Sequence, residues 1–251
     1  MLRAEAVARV IRVAVEDLAE GERTLPEAAS RYLVRVHRVG EGAPFVAFDP
    51  SVRVEADATV LDAHKQRVRC RVGPLRPASA LASAKVTLLW GLGKGDKIDH
   101  VIRDATALGV ERLVVVSTER SVPRLGERAR ERSDRWQQIA LDAARQSGRG
   151  DVPELSPPAA LEQALAETGA PRRIVLVPEA ELALAQALAD WHPGEPLAAL
   201  IGPEGGLTQE EIEQAVAAGF VPVRFGPFVL RTETAATALL GALLAFAEPR
   251  R

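Results

Sequence analysis

The sequence predicts an α/β protein: a mostly parallel sheet covered by helices over residues 76–251, preceded by a smaller β-rich domain over residues 1–75. Three observations carry this. From Lys85 onward, continuous apolar runs alternate with helical stretches, as strands buried on both faces require. The first ~75 residues instead show short alternating stretches broken by Gly, Pro and Asp. Between the two lies Gly73-Pro74-Leu75-Arg76-Pro77, which reads as a linker.

In the first part the clearest strand spans residues 66–72. Arg67, Arg69 and Arg71 alternate there with Val68, Cys70 and Val72, so a period of two puts the guanidinium groups on one face and an apolar row on the other. Two readings stay open: a half-buried strand with an Arg outer face, or a surface that meets phosphates.

In the second part, residues 86–90 and 113–117 read as strands on either side of a helix over 97–108 that Gly109 closes. A long Arg-rich helix covers 128–147 and ends at Gly148. Further strands are expected at 174–177, 197–201 and 220–225, with helices at 182–190, 208–218 and 232–247. The last helix is apolar all round and rich in small residues beyond Ala235, so it needs burial on every side, by the core or by another subunit.

Composition narrows the function classes. With 47% hydrophobic and 26% charged residues, the 251-residue chain is of ordinary globular make-up and large enough to bury a core without staples. A single cysteine, Cys70, excludes an intramolecular disulfide, and with four histidines it leaves little material for zinc, so no metal is expected. No apolar run reaches the ~18–20 residues that span a bilayer. The N-terminal Met1-Leu2-Arg3-Ala4-Glu5 carries an early acid and no signal-type apolar region. A cytoplasmic protein without a membrane partner is expected.

The net charge of −2 hides an asymmetry. Residues 1–150 hold 22 Arg and 4 Lys against 20 acids, a net of +6, whereas residues 151–251 hold 6 Arg against 14 acids, a net of −8. Residues 63–76 contain five cations and no acid, and residues 120–149 contain eight Arg against four acids. Part of the Arg excess is open to a codon-composition reading. The local runs suggest instead that one part grips a polyanion.

Two kinds of loop are candidate ligand sites. Gly91-Leu92-Gly93-Lys94-Gly95-Asp96-Lys97 follows a strand and precedes a helix, yet it fails as a Walker A loop because Gly95 follows Lys94. It also fails as a Rossmann fingerprint, since Asp96 stands where a glycine is needed. Ile201-Gly202-Pro203-Glu204-Gly205-Gly206-Leu207 precedes a helix that Thr208 and Glu211 open as a capping box. Its glycines let a ligand approach the backbone. Glu204, Glu210 and Glu211 crowd the same helix start, so a neutral heterocycle or a cation suits the loop better than a phosphate. A tight turn without ligand remains the alternative. Phe225-Gly226-Pro227-Phe228-Val229-Leu230-Arg231-Thr232-Glu233-Thr234 likewise puts Arg231 and two hydroxyls at a strand's C-terminal end, where open α/β sheets bind ligands.

At this point a family resemblance becomes specific. It is carried by Lys94-Gly95-Asp96-Lys97, Ala105-Thr106-Ala107-Leu108-Gly109-Val110, Glu119-Arg120-Ser121-Val122 and Trp136. Gln146-Ser147-Gly148-Arg149, Val152-Pro153-Glu154, the Ile201–Gly206 run and Leu230-Arg231-Thr232-Glu233-Thr234-Ala235 continue it in order. Over residues ~85–247 the chain resembles the RsmE-type ribosomal RNA methyltransferases, which methylate N3 of a uridine in 16S rRNA. The resemblance implies a SPOUT-type domain with a C-terminal trefoil knot, a PUA-like N-terminal domain for RNA, S-adenosyl-L-methionine as cofactor, and a homodimer formed through the C-terminal domain. The knot runs against the general topological rule. Alternatives of other kinds are a SPOUT-fold methyltransferase for another RNA site and a non-catalytic RNA-binding or ribosome-assembly factor.

The chain departs from the family pattern in places. Arg31 and Tyr32 stand where histidines usually precede the position of Leu33, His37 stands for a leucine, and Phe228 follows Pro227 where a cation is common.

The site implied by this resemblance is as follows. The cofactor lies against Leu176, Val177 and Pro178, against Ile201, Gly202, Pro203, Glu204, Gly205 and Gly206, and against Phe225, Gly226, Pro227, Val229, Leu230, Thr234 and Ala235. Glu204 is placed near the sulfonium or near the ribose hydroxyls. Arg231 stabilises negative charge developing on the uracil ring, with Glu233 placed to orient it; a structural salt bridge to Glu233 or Glu204 is the competing reading. RNA is expected at Arg67, Arg69, Arg71, Lys94, Lys97 and Arg120, and at Gln146 and Arg149, which end the Arg-rich helix. For that helix a solvated face, with cations favoured by the macrodipole, is the alternative.

Overall fold

The computed structural model describes residues 10–64, 67–82, 84–93, 95–121 and 129–247. They form two compact units: the described residues up to Leu81 with Ala144–Val152, and Ala82–Ala143 with the described residues from Pro153 onward. The linker expectation divides the chain after residue 75. Backbone bonds carry the first unit further: the Ala78 N–H donates to the Arg53 carbonyl at 2.9 Å and the Gly150 N–H to the Ala80 carbonyl at 2.6 Å.

The first unit is built on one sheet. Strands β1 (Arg12–Ala14), β2 (Gly21–Thr24), β3 (Pro44–Asp49), β4 (Val54–His64) and β5 (Arg67–Val72) run in the order β1-β3-β4-β5-β2, with β6 (Arg76–Pro77) beside β4. β1 pairs β3 in parallel; the other pairings are antiparallel. Helix α1 (Glu27–Arg31) runs into a π-helical turn, Tyr32–Val36. The alternation read in β5 is present: Val68, Cys70 and Val72 are buried in the core, and Arg67, Arg69 and Arg71 are exposed. The buried Ser30 hydroxyl donates to the Leu25 carbonyl at 3.2 Å and accepts the Val68 N–H at 3.0 Å, which fixes α1 on β5. Tyr32, one of the departures, carries the Arg145 guanidinium 4.7 Å from its ring centroid and meets the His37 ring edge-on.

The second unit is a six-stranded sheet, parallel at every described pairing, of β7 (Val86–Gly91), β8 (Arg112–Ser117), β9 (Glu154–Ala160), β10 (Arg172–Leu176), β11 (Leu197–Ile201) and β12 (Val221–Val223). Their order is β12-β10-β11-β7-β8-β9. Within each apolar run successive side chains enter different cores. Leu88, Trp90, Leu113 and Ala199 pack on one face with α2 (Lys97–Ala107), α3 (Ala129–Ser147) and α7 (Thr232–Ala247). Leu89, Val114, Val116 and Leu200 pack on the other with α4 (Leu161–Ala166) and α6 (Gln209–Ala217).

Three elements differ from expectation. β9 and α4 were not anticipated, because Pro157 and Pro158 break the strand signal. They are tolerated at the sheet edge, where the β8–β9 register slips between Val114 and Val116. The expected helix over 182–190 shrinks to α5 (Leu184–Ala187). In α7, Ala235, Ala236, Leu239, Leu240 and Leu243 are buried, whereas Ala238, Gly241 and Ala242 stay half-buried and Ala245 and Phe246 exposed. Burial on every side is therefore not reached among the described residues of one chain.

Burial pushes the Cys70 thiol up to about 11. At pH 8 its thiolate is a minor species behind a closed core, so the native protein should resist iodoacetamide while protein in denaturant is alkylated within minutes. Stoichiometric labelling of folded protein, read by mass spectrometry, would place Cys70 elsewhere.

Candidate functional site

Strands β10, β11 and β12 end at the same sheet edge, and the segments that follow them enclose a cavity of about 350 Å³. The position is the one expected for a ligand in an open parallel sheet. Leu176, Val177, Pro178, the Ile201–Gly206 run, Phe225, Gly226, Val229, Leu230 and Ala235 line it, as the sequence reading places them; Pro227 and Thr234 do not. Glu179, Leu207, Ile212, Phe228, Thr232 and Arg120 line it as well. Arg120 was expected at RNA. Leu207, Phe228 and Thr232 belong to the loops singled out in the sequence without being assigned to the ligand, whereas Glu179 and Ile212 carry no motif signal of their own.

Close packing shapes the loop after β11. A Cβ on Gly91 would stand 2.6 Å from the Pro203 nitrogen, and one on Gly93 would stand 2.5 Å from a Glu204 carboxylate oxygen. Gly91 and Gly93 of the loop that mimics a nucleotide site therefore face protein, and they let the Gly202-Pro203-Glu204 turn settle against the end of β7; Gly95 faces open space. Arg120 braces the same loop by donating from Nη1 to the Gly205 carbonyl at 2.8 Å.

The capping box read from sequence is present at the start of α6. The Thr208 hydroxyl accepts the Glu211 N–H at 3.2 Å, and Glu211 Oε2 accepts the Thr208 N–H at 2.8 Å. The second carboxylate oxygen, Oε1, accepts the Glu119 N–H at 2.7 Å, joining the loop after β8 to the cavity wall.

At the mouth, Lys97 Nζ lies 2.9 Å from Glu204 Oε1 and 3.4 Å from Glu233 Oε2. The bond from Glu204 is the main cause holding the Lys97 ammonium above its usual range. Glu233 is held below its usual range, first by the backbone N–H at its helix start, then by Lys97, with burial opposing. The Thr232 hydroxyl also donates to Glu233, at 3.2 Å.

Two expectations are corrected by this geometry. Glu233 does not orient Arg231, because its carboxylate is taken by Lys97 and Thr232; Arg231 is exposed and makes no ion pair among the described residues. The competing salt-bridge reading for Arg231 fails for the same reason. Arg149 does not reach outward: it is buried, with Nε 2.5 Å from the buried Asp151. Gln146 is exposed, and both residues belong to the first unit. Lys97, expected at RNA, is the bridge at the cavity mouth. Of the β5 cations, Arg69 and Arg71 share Glu22 at 3.2 and 2.7 Å. Lys94 lies outside the described residues. Among those residues no cluster of His, Cys, Asp and Glu could hold a metal, and no helix is long and apolar enough to cross a membrane.

Comparison with known proteins agrees with this architecture. Residues 80–244 match the model of the RNA methyltransferase domain family. The ribosomal RNA small subunit methyltransferase E of Bacillus subtilis is 31% identical over 219 residues, covering 84% of this chain and 85% of that protein. Its namesake from Synechocystis is 31% identical over 239 residues, 94% of this chain and 77% of the relative. Among solved structures, a Legionella pneumophila methyltransferase with bound SAM superposes with a TM-score of 0.86 at 29% identity, covering 94% of this chain and 98% of the other. The Neisseria gonorrhoeae ribosomal RNA small subunit methyltransferase E bound to S-adenosyl methionine gives 0.85 at 29% identity, covering 94% and 97%. The described units thus have the mixed α/β fold of these methyltransferases, and the chain belongs to the ribosomal RNA small subunit methyltransferase E family.

Proposed function

We propose that this chain transfers the methyl group of S-adenosylmethionine to N3 of a uridine in the 16S rRNA of the small ribosomal subunit, in the cytoplasm. The observation that carries the reading is the likeness, along nearly the whole chain, to a methyltransferase of this family bound to that cofactor.

The cavity suits the cofactor. Its volume of about 350 Å³ is that of a small-molecule site, and its walls offer the glycine backbone of residues 202–206 and the side chains of Val177 and Leu230. Glu204 and Glu179 line it against a single lining cation, Arg120, which is bound to the Gly205 carbonyl, so acids outnumber cations in the lining and suit a cation better than a phosphate. When bound, S-adenosylmethionine supplies an electrophilic methyl on its sulfonium. Uracil N3 carries a proton at neutral pH, so the protein must stabilise negative charge that develops across O2, N3 and O4. Arg231 is an exposed guanidinium beside the cavity, free of carboxylate partners among the described residues and able to donate two parallel bonds. Glu204, fixed by Lys97, sets the acidic side of the mouth.

The first unit is read as a PUA-like RNA-binding domain, with the exposed Arg67, Arg69 and Arg71 of β5 towards phosphates. The second is read as a SPOUT domain with a trefoil knot. Its strand order supports this: the chain inserts β11 beside β7, leaves for the edge strand β12, and returns to pack α7 against α2 and β11. The half-open small-residue face of α7 supports a homodimer through this domain. Light scattering should then report twice the 26.9 kDa chain mass at micromolar concentration, and a single-chain mass would remove the dimer.

Purified protein, cofactor and 16S rRNA from cells lacking the methyl group should yield N3-methyluridine by mass spectrometry, with RNA affinity that weakens as salt rises. A methyl group on another atom, or none, overturns the reading.

Two substitutions test the site. In a protein that still binds cofactor, Arg231→Lys should slow methyl transfer by on the order of 10²-fold, because one point charge replaces a preorganised fork. Normal turnover would end that assignment. Gly93→Ala should weaken cofactor binding by roughly 10-fold in calorimetry with little change in helix content, since the new methyl displaces Glu204. Unchanged affinity would separate Glu204 from the cofactor.

A further inference from the structure

We propose that Phe228 is a stacking platform for an unpaired nucleobase of the RNA substrate, held at the mouth of the cavity. This rests on the methyltransferase reading and extends it to how the acceptor is gripped.

The segment between β12 and α7 is pinned at both ends. Phe225 and Leu230 pack against the main core of the second unit, and Gly226, at φ +75°, turns the chain between them. Between the pins Phe228 and Val229 stand 77% and 79% exposed, the highest values among the exposed large apolar side chains described. The three tryptophans, Phe45, Phe48 and Phe220 are all buried. Phe228 is thus an aromatic face offered to solvent by a short, anchored loop that also lines the cavity.

Chemistry selects the occupant. Three residues along, Arg231 is exposed with no ion pair among the described residues. An exposed aromatic face and an exposed guanidinium on one short loop are the pairing that holds an unstacked base, by ring-on-ring contact while the cation meets carbonyl oxygens or phosphate. A base due to be modified must leave its stack to reach a reagent held inside a cavity, and a second ring repays part of that cost. A second copy of the chain fits a different surface, the Ala238, Gly241, Ala242 and Ala245 face of α7.

The test uses the full chain with 16S rRNA lacking the modification. Phe228→Ala should raise the RNA KM about 10-fold, and Phe228→Trp should bring it back to within about 2-fold of the parent, as stacking tolerates any aromatic ring. The cofactor dissociation constant and the mass in solution should not change in either variant. An unaltered RNA KM in Phe228→Ala overturns the proposal. So does a loss of cofactor affinity, which would assign the ring to the cofactor, or a change in mass, which would bury it between copies. If the parent transfers no methyl to RNA, the methyltransferase reading falls separately, and filter binding of the same RNA decides Phe228: equal affinity of parent and Phe228→Ala ends it.

Discussion

The C-terminal edge of the second sheet is organised around one ammonium group. Lys97 opens α2, and by reaching Glu204 and Glu233 it ties the start of that helix to the loop after β11 and to the start of α7. As a stability term the bridge is small. Its side chains are 23–32% exposed, and such pairs contribute about 0–1 kcal/mol. What it supplies is position: two carboxylates from different elements are held close by the charge between them. The shifts on Lys97 and Glu233 both favour the charged forms, so the bridge persists through neutral pH. Glu233 contributes above the ordinary carboxylate range and loses its contribution as acid carries the solution down through its lowered value; Lys97 loses its own as alkali carries it up through its raised one.

That bridge works because backbone can come close to backbone around it. Gly91 admits the Pro203 nitrogen and Gly93 admits the Glu204 carboxylate, so β7 and β11 end in contact rather than with side chains between them. On the far side, Glu211 spends one oxygen on its own helix and the other on the Glu119 N–H, while Arg120 holds the Gly205 carbonyl. A loop rich in glycine is thereby braced from two sides, which lowers the entropy it must lose when a ligand arrives.

How much of this could be read from sequence depends on the range of the interaction. The strands of the second unit were legible because both of their faces are buried and their runs are continuously apolar; β9 was not, since Pro157 and Pro158 erase the pattern at an edge that tolerates them. The Thr208–Glu211 cap was legible because it spans three residues, whereas the same carboxylate's bond to Glu119 crosses 92 positions and leaves no local trace. Charge counting misled at Arg149, where Asp151 two residues on draws the guanidinium into a buried pair. It misled again at Glu233, two residues from Arg231 in the chain but claimed by Lys97 from another helix. Neighbours in sequence suggest partners; packing decides them.

The electrostatics of the mouth follow from the same arrangement. A site that accepts a cationic donor and a polyanionic acceptor faces contrary demands, because negative charge that attracts the first repels the second. Here the demands are divided in space. Glu204 and Glu233 share Lys97, so two acidic side chains from different elements are held by an ammonium from a third. The segment from Phe228 to Leu230 lines the same cavity with an exposed uncharged ring, and the next residue, Arg231, is exposed with no ion pair among the described residues. Lys97 offsets part of the negative charge of the acidic pair, and solvent screens what is left beyond about 8–10 Å. On the proposed reading, a cation inside and an anion at the rim are met by different groups: the acids tied to Lys97, and the exposed Arg231, which makes no ion pair among the described residues.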